Sequence, residues 1–353
     1  MEYNVTSPNH GEDGPVLQFE TSIETNVTNC NPLYIPSIDE YFTAFNELGL
    51  ALFTLGGIAL LIVLSLYLDT VKHIIEKAPT GTKTHSVFIM SVYPVVAIAT
   101  YCATIVPRAQ LLAEAVTQGM FMACLYQLFC LVVAYCGGEA EMIKKIHPGT
   151  LNMQVTPCCC WPCCSILPHV ELKKKHVRAL RMLVLQLPVV QGLIYMILLV
   201  MWAEEQSLYQ VNYNYFQPLV VMSILFGIWG MVMTMKVTLT CLKDYHIQGK
   251  FFVLQLVLLF AKFQGFIAKI VATSDLFPCR YPITSSVYAN LIYNSLIIWE
   301  IVLLCTIARL LYKKSIPIES YPIDDNSNFS NQIKSKDDKV PKEVISDRNV
   351  PVV

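Results

Sequence analysis

Within the apolar stretch Phe251–Ala272, Gln255, Lys262 and Lys269 recur every seven residues, a spacing that keeps them on one stripe of a helix. An ammonium group among apolar neighbours either pairs with a carboxylate or offers itself to an anion. Glu300, in the stretch Ser286–Ala308, is the carboxylate at a depth similar to that of Lys262, and Asn294 lies somewhat more than one turn away from it. A Lys262–Glu300 ion pair between packed helices is the structural expectation. The functional one is a polar path in which Lys262 attracts an anionic group and Glu300 sets its strength. Gln186 and Gln191 in a third stretch, and Gln118 and Gln127 in a fourth, are placed to line the same path. Glutamines serve equally well as interhelical hydrogen-bond partners. Gln264 is a further candidate, on a different face from Lys262. Lys269, close to one end of its stretch, is expected to reach headgroups by snorkelling.

The elements that must hold these residues follow from composition. Of 353 residues, 54% are hydrophobic and 14% charged, and the mean hydropathy is +0.50. Soluble domains carry about 25% charged residues, so this chain cannot cover a globular surface in water. The net charge of −1 leaves no footprint for nucleic acid. Seven apolar runs appear: Leu48–Leu68, Ser86–Val106, Ala115–Cys136, Met182–Trp202, Phe216–Met235, Phe251–Ala272 and Ser286–Ala308. Each holds about 20 residues, enough for a helix to cross the hydrocarbon core. Strict alternation is absent, which excludes a barrel, and the first five runs contain no Asp, Glu, Lys or Arg. The expected fold is all-α, a polytopic membrane protein with seven transmembrane helices. Pro94 and Pro188 are expected to kink theirs. No H-E-x-x-H, G-x-S-x-G or Walker A sequence occurs, so neither an enzyme nor a metal or other cofactor is expected.

Charge fixes the expected orientation. Alternate connections and the C-terminal region hold 21 Lys and Arg, against Arg108 and Arg280 on the other side. The positive-inside rule therefore places the N-terminus outside and the C-terminus in the cytosol. Residues 1–47 form an extracellular tail, 48–315 the transmembrane domain with a cysteine-rich cytosolic loop at 137–181, and 316–353 a polar, disordered cytosolic tail. The sequons at Asn4 and Asn26 fall on the outer tail and are expected to be glycosylated. No basic n-region precedes an early apolar stretch, so no cleavable signal peptide is expected.

Orientation also sorts the cysteines. Cys30 and Cys279 are the ones on the outer side, where a disulfide would tie the N-terminal tail to the last outer loop, the alternative being two unrelated thiols. Cys158, Cys159, Cys160, Cys163 and Cys164 crowd the cytosolic loop beside Lys173, Lys174 and Lys175. S-acylation suits that setting, since several acyl chains would hold the loop to membrane lipids. Zinc would need a second ligand pair, for which His169 and His176 are nearest, and inert thiols are the third reading.

Seven helices with an outer N-terminus first suggest a G-protein-coupled receptor. Against it, the third run ends in Cys136-Gly137-Gly138-Glu139 rather than an acidic-Arg-Tyr triplet, and the seventh lacks Asn-Pro-x-x-Tyr. Pro107-Arg108, Gly137-Gly138-Glu139-Ala140, the cysteine-rich stretch from Pro157 to Cys164, Lys250-Phe251 with Gln255, Cys279 with Tyr281, and Asn294 and Glu300 before Arg309, Lys313 and Lys314 form another pattern. From about Ser86 to Ser315 it resembles the alpha subunit of the organic solute transporter and its wider seven-helix family. The resemblance implies a facilitative, multi-pass plasma-membrane transporter of bile acids, conjugated steroids and similar organic anions, working with a small single-span beta-type subunit. The alternative is a seven-helix receptor, or a signalling or trafficking protein that transports nothing.

Overall fold

The computed structural model describes residues 34–44, 47–146, 150–155, 169–204, 206–239, 242, 245–274 and 283–314. Seven spans long and apolar enough to cross a membrane are present, each covering one of the sequence runs. The first is α2 (Glu47–Lys77), preceded by the short α1 (Ile38–Thr43). The second is split into α3 (Thr80–Met90) and α4 (Val92–Ile105), and the third is α5 (Gln110–Tyr135). After the short α6 (Glu139–Ile146) come the fourth, α7 (Lys174–Glu204), and the fifth, α8 (Gln206–Thr238). The last two are α9 (Ile247–Thr273) and α10 (Ser285–Lys313).

Local chemistry explains the breaks. The second span divides at Ser91, three residues before Pro94, whose ring leaves the Met90 carbonyl without its helical donor. Pro188 and Pro218 sit inside helices that continue through them. Helix α5 stops at Gly137 (φ 88°) and Gly138 (φ 99°), in the left-handed region that favours glycine. Their amides donate back to Ala134 and Val133, satisfying the last carbonyls. Ser37 and Glu40 form a reciprocal capping box on α1. The Tyr41 hydroxyl then donates to the Thr104 carbonyl at 3.1 Å, fixing α1 across the end of α4. Burial pushes that phenol up to about 12.

The core sits around α5, where Phe121, Met122, Leu125, Leu128 and Phe129 are fully buried. Helices α3, α4 and α7 pack on α5, α8 packs on α7, and α10 packs on α2, α4 and α9. Leu61, Leu193, Phe263 and Phe266 point outward instead, an inverted surface that suits lipid. Helix α9 is the least enclosed span, with 17% of its most apolar stretch inside the bundle. It leans on α10, touches α5 lightly, and makes no extended packing with α7 or α8.

One feature departs from helix. Strands β1 (Thr150–Asn152) and β2 (His169–Glu171) pair antiparallel, Thr150 opposite Glu171 and Asn152 opposite His169. The Trp229 indole donates to the Met153 carbonyl at 3.2 Å, tying this ladder to α8. The ladder closes off the cysteine-rich stretch, while Cys158, Cys159, Cys160, Cys163 and Cys164 themselves lie outside the described residues. So do Asn4, Asn26, Cys30, Cys279 and the tail 316–353.

Candidate functional site

The seven-residue spacing places Lys262 and Lys269 on one stripe of α9, facing the gap towards α7 and α8. Lys262 Nζ donates to the Tyr195 hydroxyl of α7 at 3.3 Å, with the ring centroid 6.0 Å away. Lys269 Nζ donates to the Tyr213 hydroxyl of α8 at 3.2 Å and stands 4.5 Å over that ring. Helix α9 makes no extended packing with α7 or α8, so these two long basic side chains bridge the crevice between α9 and its neighbours. Both lysines are exposed. Phenols suit this position: each presents a hydroxyl acceptor and an electron-rich face to a cation.

The expected Lys262–Glu300 ion pair is absent. Residues 262 and 264 lie on opposite sides of α9, and Glu300 of α10 accepts from the Gln264 amide instead. Gln264 also lines a lateral groove of about 300 Å³ between α9 and α10, together with Ile267, Val271, Ile292 and Leu296. Lys269, expected to reach headgroups, contacts Tyr213.

A carboxylate that the sequence reading left out lies on α5. Helix α5 begins before the apolar run and carries Glu114 into the span. Gln110, one turn earlier, donates to Glu114 at 3.2 Å and accepts from the Asn294 amide of α10 at 2.8 Å. Asn294 thereby ties α10 to α5, while Gln255 lies further along the stripe, its amide nitrogen buried without a described partner.

Other candidates go elsewhere. Gln186 donates to the Ser223 carbonyl at 3.0 Å and Gln191 to the Val220 carbonyl at 3.1 Å, so both join α7 to α8. Gln127 bonds to His85 of α3 at 2.7 Å. Lys250, which the sequence assigns to a basic loop, is buried in the first turn of α9 at 4% exposure. Its ammonium donates to the Tyr135 hydroxyl at 3.2 Å and lies 4.5 Å over the Tyr312 ring. Tyr245 stacks on Tyr135 at 4.6 Å, completing a tyrosine cage.

Among the described residues the crevice has no nucleophile–base pair. It offers two cations and two phenols, which suit an anionic group. Comparison with known proteins bears on what passes through it. Residues 51–317 match the family model described as organic solute transporter Ostalpha. The organic solute transporter alpha-like protein of Drosophila melanogaster is 27% identical over 317 residues, covering 89% of this chain and 95% of its own length. The organic solute transporter subunit alpha of Danio rerio is 21% identical, covering 75% of this chain and 82% of its own. The organic solute transporter alpha-like protein 3 of Caenorhabditis elegans is 22% identical, with 86% and 88% covered. No solved structure matches the chain.

Proposed function

From the organic solute transporter Ostalpha family, to which the chain belongs over residues 51–317, we propose that it is the alpha-type subunit of a facilitative plasma-membrane transporter of amphipathic organic anions. Bile acids and conjugated steroids are the solute class, and a small single-span beta-type protein is the partner. The observation that carries the reading is the crevice itself. Lys262 and Lys269 stand exposed on a membrane-spanning helix, each donating to a phenol. A sulfate or carboxylate entering between α7, α8 and α9 meets both cations, and the steroid body meets apolar helix faces. No nucleotide-binding sequence is present, so the driving force is the solute's own gradient or a coupled ion.

In this reading the strongly basic end of the bundle faces the cytosol. Asn4 and Asn26 then carry glycans, and Cys30–Cys279 closes a disulfide in the oxidising exterior. Cys158, Cys159, Cys160, Cys163 and Cys164 are acylated, holding the loop beyond β1 to the inner leaflet. Acyl exchange sensitive to hydroxylamine reports this directly, and no signal from the full chain would remove that part of the proposal.

The decisive experiment is uptake of a labelled steroid sulfate by cells expressing the chain with and without co-expressed single-span candidates. Lys262→Ala should lower flux about tenfold at equal surface level, the size expected when a desolvated charge contact worth some 1.4 kcal/mol is lost. Unchanged flux in that variant would sink the role of Lys262. Absence of flux from the wild-type chain with every partner would sink the transport reading.

A further inference from the structure

The two lysines of α9 are held at different levels by different helices. Lys262 Nζ donates to the Tyr195 hydroxyl of α7 at 3.3 Å. Lys269 Nζ donates to the Tyr213 hydroxyl of α8 at 3.2 Å and lies 4.5 Å over that ring. Seven residues of helix separate the two lysines, a rise of about 10 Å. Both are exposed, although each lies within the span Ile247–Ala272. A phenol holds an ammonium without neutralising it, so each contact fixes where a cation stands and does not itself cancel its charge. Resting on the transport reading above, we infer that the pairs Lys262–Tyr195 and Lys269–Tyr213 are two separate anion subsites, about 10 Å apart along one path. A solute with one anionic group visits them in turn, and a solute with an anionic group at each end bridges them.

Spacing decides between one site and two. A sulfate or carboxylate accepts from an ammonium at about 2.7–2.9 Å. It touches both lysines at once only if their side chains fold towards each other across the rise of about 10 Å. The phenols oppose that folding, because each holds its lysine at its own level and belongs to a different helix. A solute with one anionic group therefore breaks one contact to make the next, and neither hold need be strong. Several weak sites in series are what let a solute both enter and leave. A rigid steroid sulfated at both ends behaves differently. Its first contact presents the second sulfate to the other lysine at high effective concentration. It must then release both contacts to advance, so it blocks the path.

The test measures uptake of a labelled steroid monosulfate by cells expressing the full chain with its partner, against three unlabelled competitors. These are the same monosulfate, a steroid with sulfates at opposite ends, and one with both sulfates on the same ring, which carries equal charge. The end-to-end disulfate should inhibit at a concentration about tenfold below the other two. Lys269→Gln and Lys262→Gln should each abolish that advantage, a ratio of potencies that does not depend on surface level. Tyr213→Phe, which releases Lys269 from its level, should reduce it. Should neither lysine variant reach the surface, a series of disulfates of increasing length on the wild-type chain carries the test. Potency should then peak at a separation of about 10 Å, and potency independent of length would overturn the inference. A wild-type chain that moves no monosulfate overturns the transport reading and this inference together. One that moves it but is inhibited equally by both disulfates overturns this inference alone, as does an end-to-end advantage that survives Lys269→Gln.

Discussion

The Lys250 ammonium lies 4.5 Å over the ring of Tyr312, buried at the junction of α5, α9 and α10. No carboxylate pairs with it at 4 Å among the described residues. Aromatic faces and the Tyr135 hydroxyl stand in for an anion. The contact anchors the basic end of α9, a helix that is otherwise the least enclosed of the seven.

Tyrosine 312 should therefore contribute through its ring and not its hydroxyl, whose oxygen is buried without a described hydrogen-bond partner. Tyr312→Phe should be close to neutral. Tyr312→Leu removes the face and should cost about 2 kcal/mol, the scale of a desolvated cation–π contact. Thermal unfolding of the purified chain in detergent micelles reads both. Equal losses in the two variants would mean that the hydroxyl carries the contribution.

Contact between Lys262 and Tyr195, and its absence between Lys262 and Glu300, makes opposite claims about coupling. Uptake losses of Lys262→Ala and Tyr195→Phe should be non-additive, because the two groups share one hydrogen bond at 3.3 Å. Those of Lys262→Ala and Glu300→Gln should add, because Glu300 is occupied by Gln264 on another side of α9. A double-mutant cycle on steroid sulfate uptake measures each term. Strong coupling between Lys262 and Glu300 would restore the ion pair that the sequence suggests.

The seven spans were legible from run length alone, since each apolar run recurs as a helical span, most of them longer than the run. The ends were the harder part, and they cost a residue. Glu114 lies one position before Ala115, where apolar counting begins, yet helix α5 starts at Gln110 and carries it inward. Lys250 was hidden in the same way, because a lysine beside Gly249 looks like loop until the tyrosines of three separate segments close around it. The heptad spacing of Lys262 and Lys269 did survive folding, and their shared stripe is observed. What spacing along one helix cannot supply is the partner on another. Lys262 and Glu300 match in depth, but the rotation of α10 against α9 gives Glu300 to Gln264. The rotation is a property of packing, set by ridges on both helices.

At the basic end, Asp69 of α2 accepts from Arg309 at 2.7 Å and from Lys313 at 2.6 Å, joining α2 to α10. Asp69→Asn leaves two cations one turn apart on α10 with no shared counter-charge. All three side chains are partly exposed, so the loss should be small. The difference between wild type and variant should shrink as salt rises, through screening. A gap that stays constant between low and high salt would show that the triad acts by packing rather than by charge.

Helix α8 meets α7 through glycine, and the fit leaves no room for a side chain. A Cβ at Gly227 would lie 2.2 Å from the Leu187 Cγ, and one at Gly230 would lie 2.8 Å from a Leu183 methyl. Close approach of this kind is what small residues provide between membrane helices, where apolar burial gives little preference for protein over lipid. It also brings the Ser223 and Val220 carbonyls within reach of Gln186 and Gln191. Gly227→Val should force the two helices apart and break those bonds, costing about 1–3 kcal/mol for overpacking, with loss of monodisperse protein after detergent extraction. Leu187→Ala places a small residue opposite and should recover part of that loss in the double variant, although alone it opens a cavity and destabilises. Full monodispersity in Gly227→Val would mean that the α7–α8 seam tolerates a wider spacing, and the crevice beside Tyr195 would then have to be drawn with α7 free to shift.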